Sequence, residues 1–273
     1  MRRLLLLLIF VTTVPLSTGV LAANVTSECK DIAISDLRQF SPDGYRVFEQ
    51  ATDKRQFFGW FNCKDIVLDT ATAVHETVHT ITEELDTFPL INGNSLSRPH
   101  EASALAPPKA IAQAMRKAFG ADDIFVQTYL ATGPAAASSS DDFLYLLDEL
   151  NAFSHDLNVA SKLSSHVKMQ NEVQVDHRDG LAALMAFVTG YSSTMAVGDQ
   201  STWLGLQQVD INNTLRVLWE QGEAVLGASC GIPDFGSKDR VYIGYFCDPL
   251  HNGAITQLLG REPVCPRKCL SSD

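Results

Sequence analysis

The string His75-Glu76-Thr77-Val78-His79 sets two imidazoles one helical turn apart in a segment that reads as a helix. At that spacing their Cβ atoms lie about 5–6 Å apart, close enough to share a divalent cation. Glu76 points to a different sector of the same helix, where a carboxylate can take a proton from a metal-coordinated water without being a ligand itself. The chemistry implied is hydrolysis assisted by one catalytic Zn2+ ion, with Glu76 as general base. The flanks Thr72-Ala73-Val74 and Thr80-Ile81 carry no charge and no proline. Val74, Val78, Ile81 and Leu85 recur at i, i+4, i+7 and i+11 as an amphipathic stripe, with both histidines just beside it.

A catalytic zinc takes three protein ligands and keeps one position open. The extended form H-E-x-x-H-x-x-G-x-x-H is absent, because Thr82 and Leu85 stand at its glycine and final histidine positions. The other donors are His100, His155, His166, His177, His251 and the acids, and they concentrate in Asp148-Glu149-Leu150-Asn151-Ala152-Phe153-Ser154-His155-Asp156. On a helical wheel Glu149 and Asp156 flank an apolar stripe, whereas Asp148 and His155 fall on the far side, towards solvent if the stripe faces the core. A carboxylate beside the core is costly unless it meets a cation. The expected third ligand is therefore Glu149, with Asp156 orienting a ligand histidine. Asp156 and His155 remain the alternative third ligands.

Two helical histidines and a helical glutamate make this chain resemble the gluzincin group of HExxH zinc metallopeptidases (zincins), over His75 to His79 and the helix around Glu149. The resemblance implies that His75, His79 and Glu149 bind zinc, that Glu76 is the base, and that a peptide or protein is the substrate. Phe153 stands where the thermolysin-like pattern has an aspartate four residues after the ligand glutamate, and 70 positions separate His79 from Glu149. Tyr145, His155 and His177 are candidate donors to an oxyanion. The competing expectation is an exported, disulfide-stabilised helical binding protein without catalytic metal. A zincin acting on something other than peptides is a third.

These residues have to be held by a mainly α fold, with a small sheet allowed. Lys64 to Leu85 reads as the helix of the histidine pair, Asp86 to Pro108 as a long polar loop, and Pro108 to Phe119 as a short helix. Phe125 to Leu130 reads as a strand and Ala135 to Ser140 as a linker. Asp141 to about Ser165 reads as a helix, with Ser139 and Asp142 at capping-box spacing. Gly180 to Gly198 is uncharged but only weakly apolar, which suits a buried helix better than a membrane span. Asp210 to Leu226 gives another helix, and the segment from Cys230 onward reads as irregular or briefly β.

Among the 273 residues, the acidic balance of −11 argues against a general nucleic-acid or anionic-membrane binder. Arg2 and Arg3, the apolar run Leu4 to Val14 and the small residues Val20, Ala22 and Ala23 have the form of a cleavable leader over residues 1–23. A secreted or periplasmic protein is expected, without a membrane span after processing; less the two arginines its charge is −13. The division expected is a zincin-like catalytic domain over 24–229 and a cysteine-containing segment over 230–273 packed on it. Six cysteines in an exported chain imply three disulfides. Proximity along the chain pairs Cys29 with Cys63, Cys230 with Cys247, and Cys265 with Cys269.

Overall fold

A computed structural model of the chain describes residues 18–132, 137–166, 177–232 and 235–271. Most of the expected leader, residues 1–17, lies outside the described residues, as do Ala135 and Ala136 of the expected linker. The described chain is mainly α-helical, with one two-stranded sheet and three disulfides. Its helices are α1 Thr18–Phe40, α2 Pro42–Gln50, α3 Lys54–Gly59, α4 Ile66–Leu85, α5 Ala112–Phe119, α6 Ile124–Tyr129 and α7 Phe143–Ser164. They are followed by α8 His177–Gly198, α9 Gln200–Leu206, α10 Val209–Ser229, α11 Asp239–Cys247, α12 Pro249–Leu259 and α13 Arg267–Leu270.

Two helices form the centre. α8 is buried without interruption from His177 to Ser192, and α7 packs against α4, α8 and α10 together. α8 is long and apolar enough to cross a bilayer, but 78% of its most apolar window is buried inside the fold. Burial rests on close approach: a Cβ at Gly180 would lie 2.2 Å from Cε1 of Phe153, so glycine is what lets α8 sit against the Phe153 ring. The most extensive helix contact in the fold is α4 against α7, which brings the two motif segments face to face.

Local chemistry fixes α4 at both ends. Asp65 caps its start by accepting from Leu68 N (3.0 Å). The buried Asp69 carboxylate accepts from the backbone N–H of Asn62 (3.0 Å) and Cys63 (2.6 Å). It thereby holds the turn in which Cys63 takes φ 61° and the Cys29–Cys63 disulfide ties the turn to α1. Asp86, at φ 53°, ends the helix in the left-handed conformation. The expected loop beyond it is an antiparallel hairpin, β1 Thr87–Pro89 with β2 Ser95–Ser97, followed by a 3-10 turn at His100–Ala104. Pro89 O accepts from Asn151 Nδ2 (3.0 Å) and His155 Nε2 (2.9 Å), and Ile91 N donates to Gln221 Oε1 (2.8 Å), stapling the hairpin to α7 and α10.

Several local expectations are corrected. Phe125 to Tyr129 lie in helix α6, whose start Asp123 caps through Val126 N, and Leu130 follows its end, so the expected strand is not there. Asp142 is itself the cap of α7, accepting from Leu144 N (2.8 Å), so the Ser139–Asp142 capping box does not form. The segment after Cys230 is helical, because Asp248 caps α12 and Pro249 occupies its first turn. Cys29 pairs with Cys63 as expected, but the other bridges are Cys230–Cys269 and Cys247–Cys265. The rigid α11 carries Cys247 away from Cys230. The chain after α12 then runs back, bringing Cys265 to Cys247 and Cys269 to Cys230.

Candidate metal centre

Where α4 crosses α7, three potential ligand atoms converge. His75 Nε2 and His79 Nε2 are 3.2 Å apart, and Glu149 Oε2 lies 3.7 Å from the first and 3.5 Å from the second. Both oxygen contacts are too long for hydrogen bonds, and this buried Oε2 has no other partner. A carboxylate oxygen buried against two imidazoles is costly unless a positive charge meets it, either a protonated imidazole or a bound cation. The edges suit that role, since ligands held tetrahedrally at about 2.0–2.1 Å stand about 3.3 Å apart. A triangle with these sides has a circumradius of about 2 Å, inside the range of zinc–nitrogen and zinc–oxygen bonds. One oxygen and two imidazole nitrogens form a donor set that suits zinc.

Each ligand atom is aimed by its neighbours. Asp148 Oδ2 lies 2.6 Å from His79 Nδ1, so Nδ1–H donates to it and Nε2 is turned to the convergence point. The Phe153 ring stands edge-on to His75, with centroids 4.7 Å apart and planes at 79°, and fixes that imidazole's rotation. Burial disfavours a charge on His79, yet the hydrogen bond to Asp148 and the nearby carboxylates of Asp148 and Glu149 outweigh it and raise its pKa to about 10. Burial would likewise raise Glu149, but the facing imidazoles of His75 and His79 hold it down at about 2.

Without metal, the cluster's contribution to stability therefore has a defined pH window. His79 contributes fully below its unfolded value of 6.5 and loses that contribution as pH rises through about 10. Glu149 contributes above 4.5 and loses it as pH falls towards about 2. Chelator-treated protein is expected to show a urea midpoint that declines steadily between pH 7 and 10, a decline that His79→Gln should flatten. A midpoint equally flat in both proteins would contradict this reading.

The remaining sequence candidates are placed as follows. Asp156 does not orient a ligand histidine; its carboxylate is hydrogen-bonded to His177 Nδ1. The residue that meets His79 is Asp148, which is 2% exposed rather than turned to solvent, and His155 is equally buried under the hairpin. The wheel misplaced both because α7 is covered on several sides, not along one stripe. His100 pairs with Asp86 (2.8 Å), His166 stacks on Phe40, and His251 stacks on Tyr245, so none of these three joins the cluster. Tyr145 is engaged by Arg98, whose guanidinium lies 5.5 Å from its ring centre, on the hairpin side.

A tyrosine also packs on the ring that meets His75: Tyr129, at the end of α6. Its ring packs edge-on against Phe153 (5.7 Å, 83°). Burial, and then the charges of Glu149, Glu76 and Asp156, push its phenol well above the ordinary value. Reading Phe125 to Leu130 as a strand hid this residue; the Asp123 cap was the signal that could have found it. Glu76, half-buried on α4, opens with Thr77 and Thr80 into a cleft of about 390 Å³ against α3. No family model, curated protein or solved structure matches this chain.

Proposed function

We propose that this chain is an exported zinc-dependent peptide-bond hydrolase of the HExxH type, with the arrangement of a gluzincin. One observation carries the reading: the orphaned Glu149 Oε2 converges with His75 Nε2 and His79 Nε2 at zinc-ligand spacing, and Glu76, next to His75 on the same helix, lines a cleft. His75, His79 and Glu149 would hold the zinc ion, which would supply Lewis-acid activation of water near neutral pH. Glu76 would accept a proton from the attacking water and return it to the leaving amine. The protonated Tyr129 phenol donates to the oxygen that gains charge in the attack. Asp148 keeps His79 in the required tautomer throughout. Three disulfides suit an oxidising compartment, in keeping with export.

The test is hydrolysis of a mixture of internally quenched peptides by untagged protein. Cleavage that a chelator abolishes and added zinc restores is expected; cleavage indifferent to chelator, or none in zinc-loaded protein, overturns the proposal. Tyr129→Phe keeps the ring and removes the donor. It is expected to lower kcat by about 10²–10³-fold while zinc content stays the same. An unchanged kcat would remove Tyr129 from the reaction.

A further inference from the structure

The hairpin carries a buried cation for which the fold supplies no hydrogen-bond acceptor. Arg98 follows β2 directly, on the face that Leu96 shares with its cross-strand partner Phe88. Its side chain is 8% exposed, and the guanidinium carbon lies 6.0 Å from the centre of the Phe88 ring and 5.5 Å from that of Tyr145. Nε is buried without a partner, and among the described residues no N–H of this guanidinium makes a hydrogen bond. The ion pair with Asp86 is long: Oδ1 lies 3.8 Å from Nη1, beyond hydrogen-bond reach, while Oδ2 lies 2.8 Å from His100 Nε2. Two ring faces offset part of the cost of burying the charge, but they leave its donors unanswered.

Arg98 lines a cleft of about 440 Å³, within the size range of small-molecule sites. Leu96, Pro99 and Glu101 form one wall with it, and the start of α10, with Asp210 and Asn213, forms the other. Glu101 and Asp210 are exposed, and neither is in an ion pair among the described residues. The lining therefore pairs one buried positive group with two free carboxylates. A simple anion would meet those carboxylates, and a simple cation would meet Arg98. A ligand with both charges a few bonds apart satisfies both walls.

We infer that this cleft binds a free α-amino acid. The α-carboxylate takes the guanidinium fork of Arg98, whose planar donors match it in pairs. The ammonium group faces Asp210 and Glu101, and an apolar side chain rests on Leu96 and Pro99. None of His75, Glu76, His79 or Glu149 lines this cleft, so the site stands apart from the metal centre and does not depend on the hydrolase reading.

Calorimetry on the full chain tests it, after chelator treatment so that no ligand binds through metal. The probes are leucine, isocaproate, which lacks the amine, and isoamylamine, which lacks the carboxylate. Leucine is expected to bind once per chain, and each analogue at least about tenfold more weakly. Arg98→Lys keeps the charge but loses the fork, and Asp210→Asn alters only an exposed group; each should weaken leucine at least about tenfold in protein that remains folded. No saturable binding of leucine, isocaproate or isoamylamine binding as tightly as leucine, or a leucine affinity unchanged in both variants would overturn the inference.

Discussion

Glu76→Gln protein is expected to hold a full complement of zinc and to lose about 10²–10⁴-fold in kcat, the range spanned by a positioned general base. The substitution is nearly isosteric and leaves the three ligand atoms untouched. Glu76 is half-buried on α4 between the ligand histidines in sequence, lines the cleft, and lies close enough to Tyr129 for its charge to raise the phenol's pKa. A glutamine there retains a hydrogen-bonding side chain but can no longer carry the proton from water to leaving group. Metal content by mass spectrometry and kcat on one cleaved peptide check both halves. Zinc retained with activity intact would remove Glu76 from the mechanism.

Glu149→Ala is expected to have the second largest effect, this time on the metal. Removing the carboxylate leaves His75 and His79 as a two-nitrogen pair, and zinc affinity should fall by more than the 10–100-fold that loss of a residue supporting a ligand brings. Asp148→Asn is the graded comparison. It keeps all three ligand atoms but weakens the partner of His79 Nδ1 (2.6 Å), so its cost should lie within that 10–100-fold range. Competition titration against a chromophoric chelator measures both. An affinity unchanged in Glu149→Ala would discard the assignment, and a loss in Asp148→Asn larger than in Glu149→Ala would reverse their roles.

What was legible in the sequence follows from which patterns are local. Helix α4 carried its own period, and the pair His75 and His79 could be placed on one face from spacing alone. Glu149 emerged because a carboxylate beside an apolar stripe needs a cation. Asp148 did not, because a wheel assigns one buried stripe and α7 is covered by α4, α8 and α10 at once. The six residues of α6 form a short apolar run that periodicity cannot separate from a strand, so Tyr129 at its end was hidden. The Asp248-Pro249 start of α12 was a local signal overlooked amid glycine and aromatic residues. Disulfide pairing in the C-terminal segment depends on how α11, α12 and α13 fold back, information that spacing between cysteines does not contain.

The most direct test of the metal centre is the zinc stoichiometry of protein purified without a histidine tag, stripped with chelator and reloaded, beside the His75→Ala, His79→Ala, Glu149→Ala triple variant. One zinc per chain in the first and none in the second is the expected result. No bound zinc in the parent protein, or one zinc per chain surviving in the folded triple variant, would contradict a metal centre at the α4–α7 crossing.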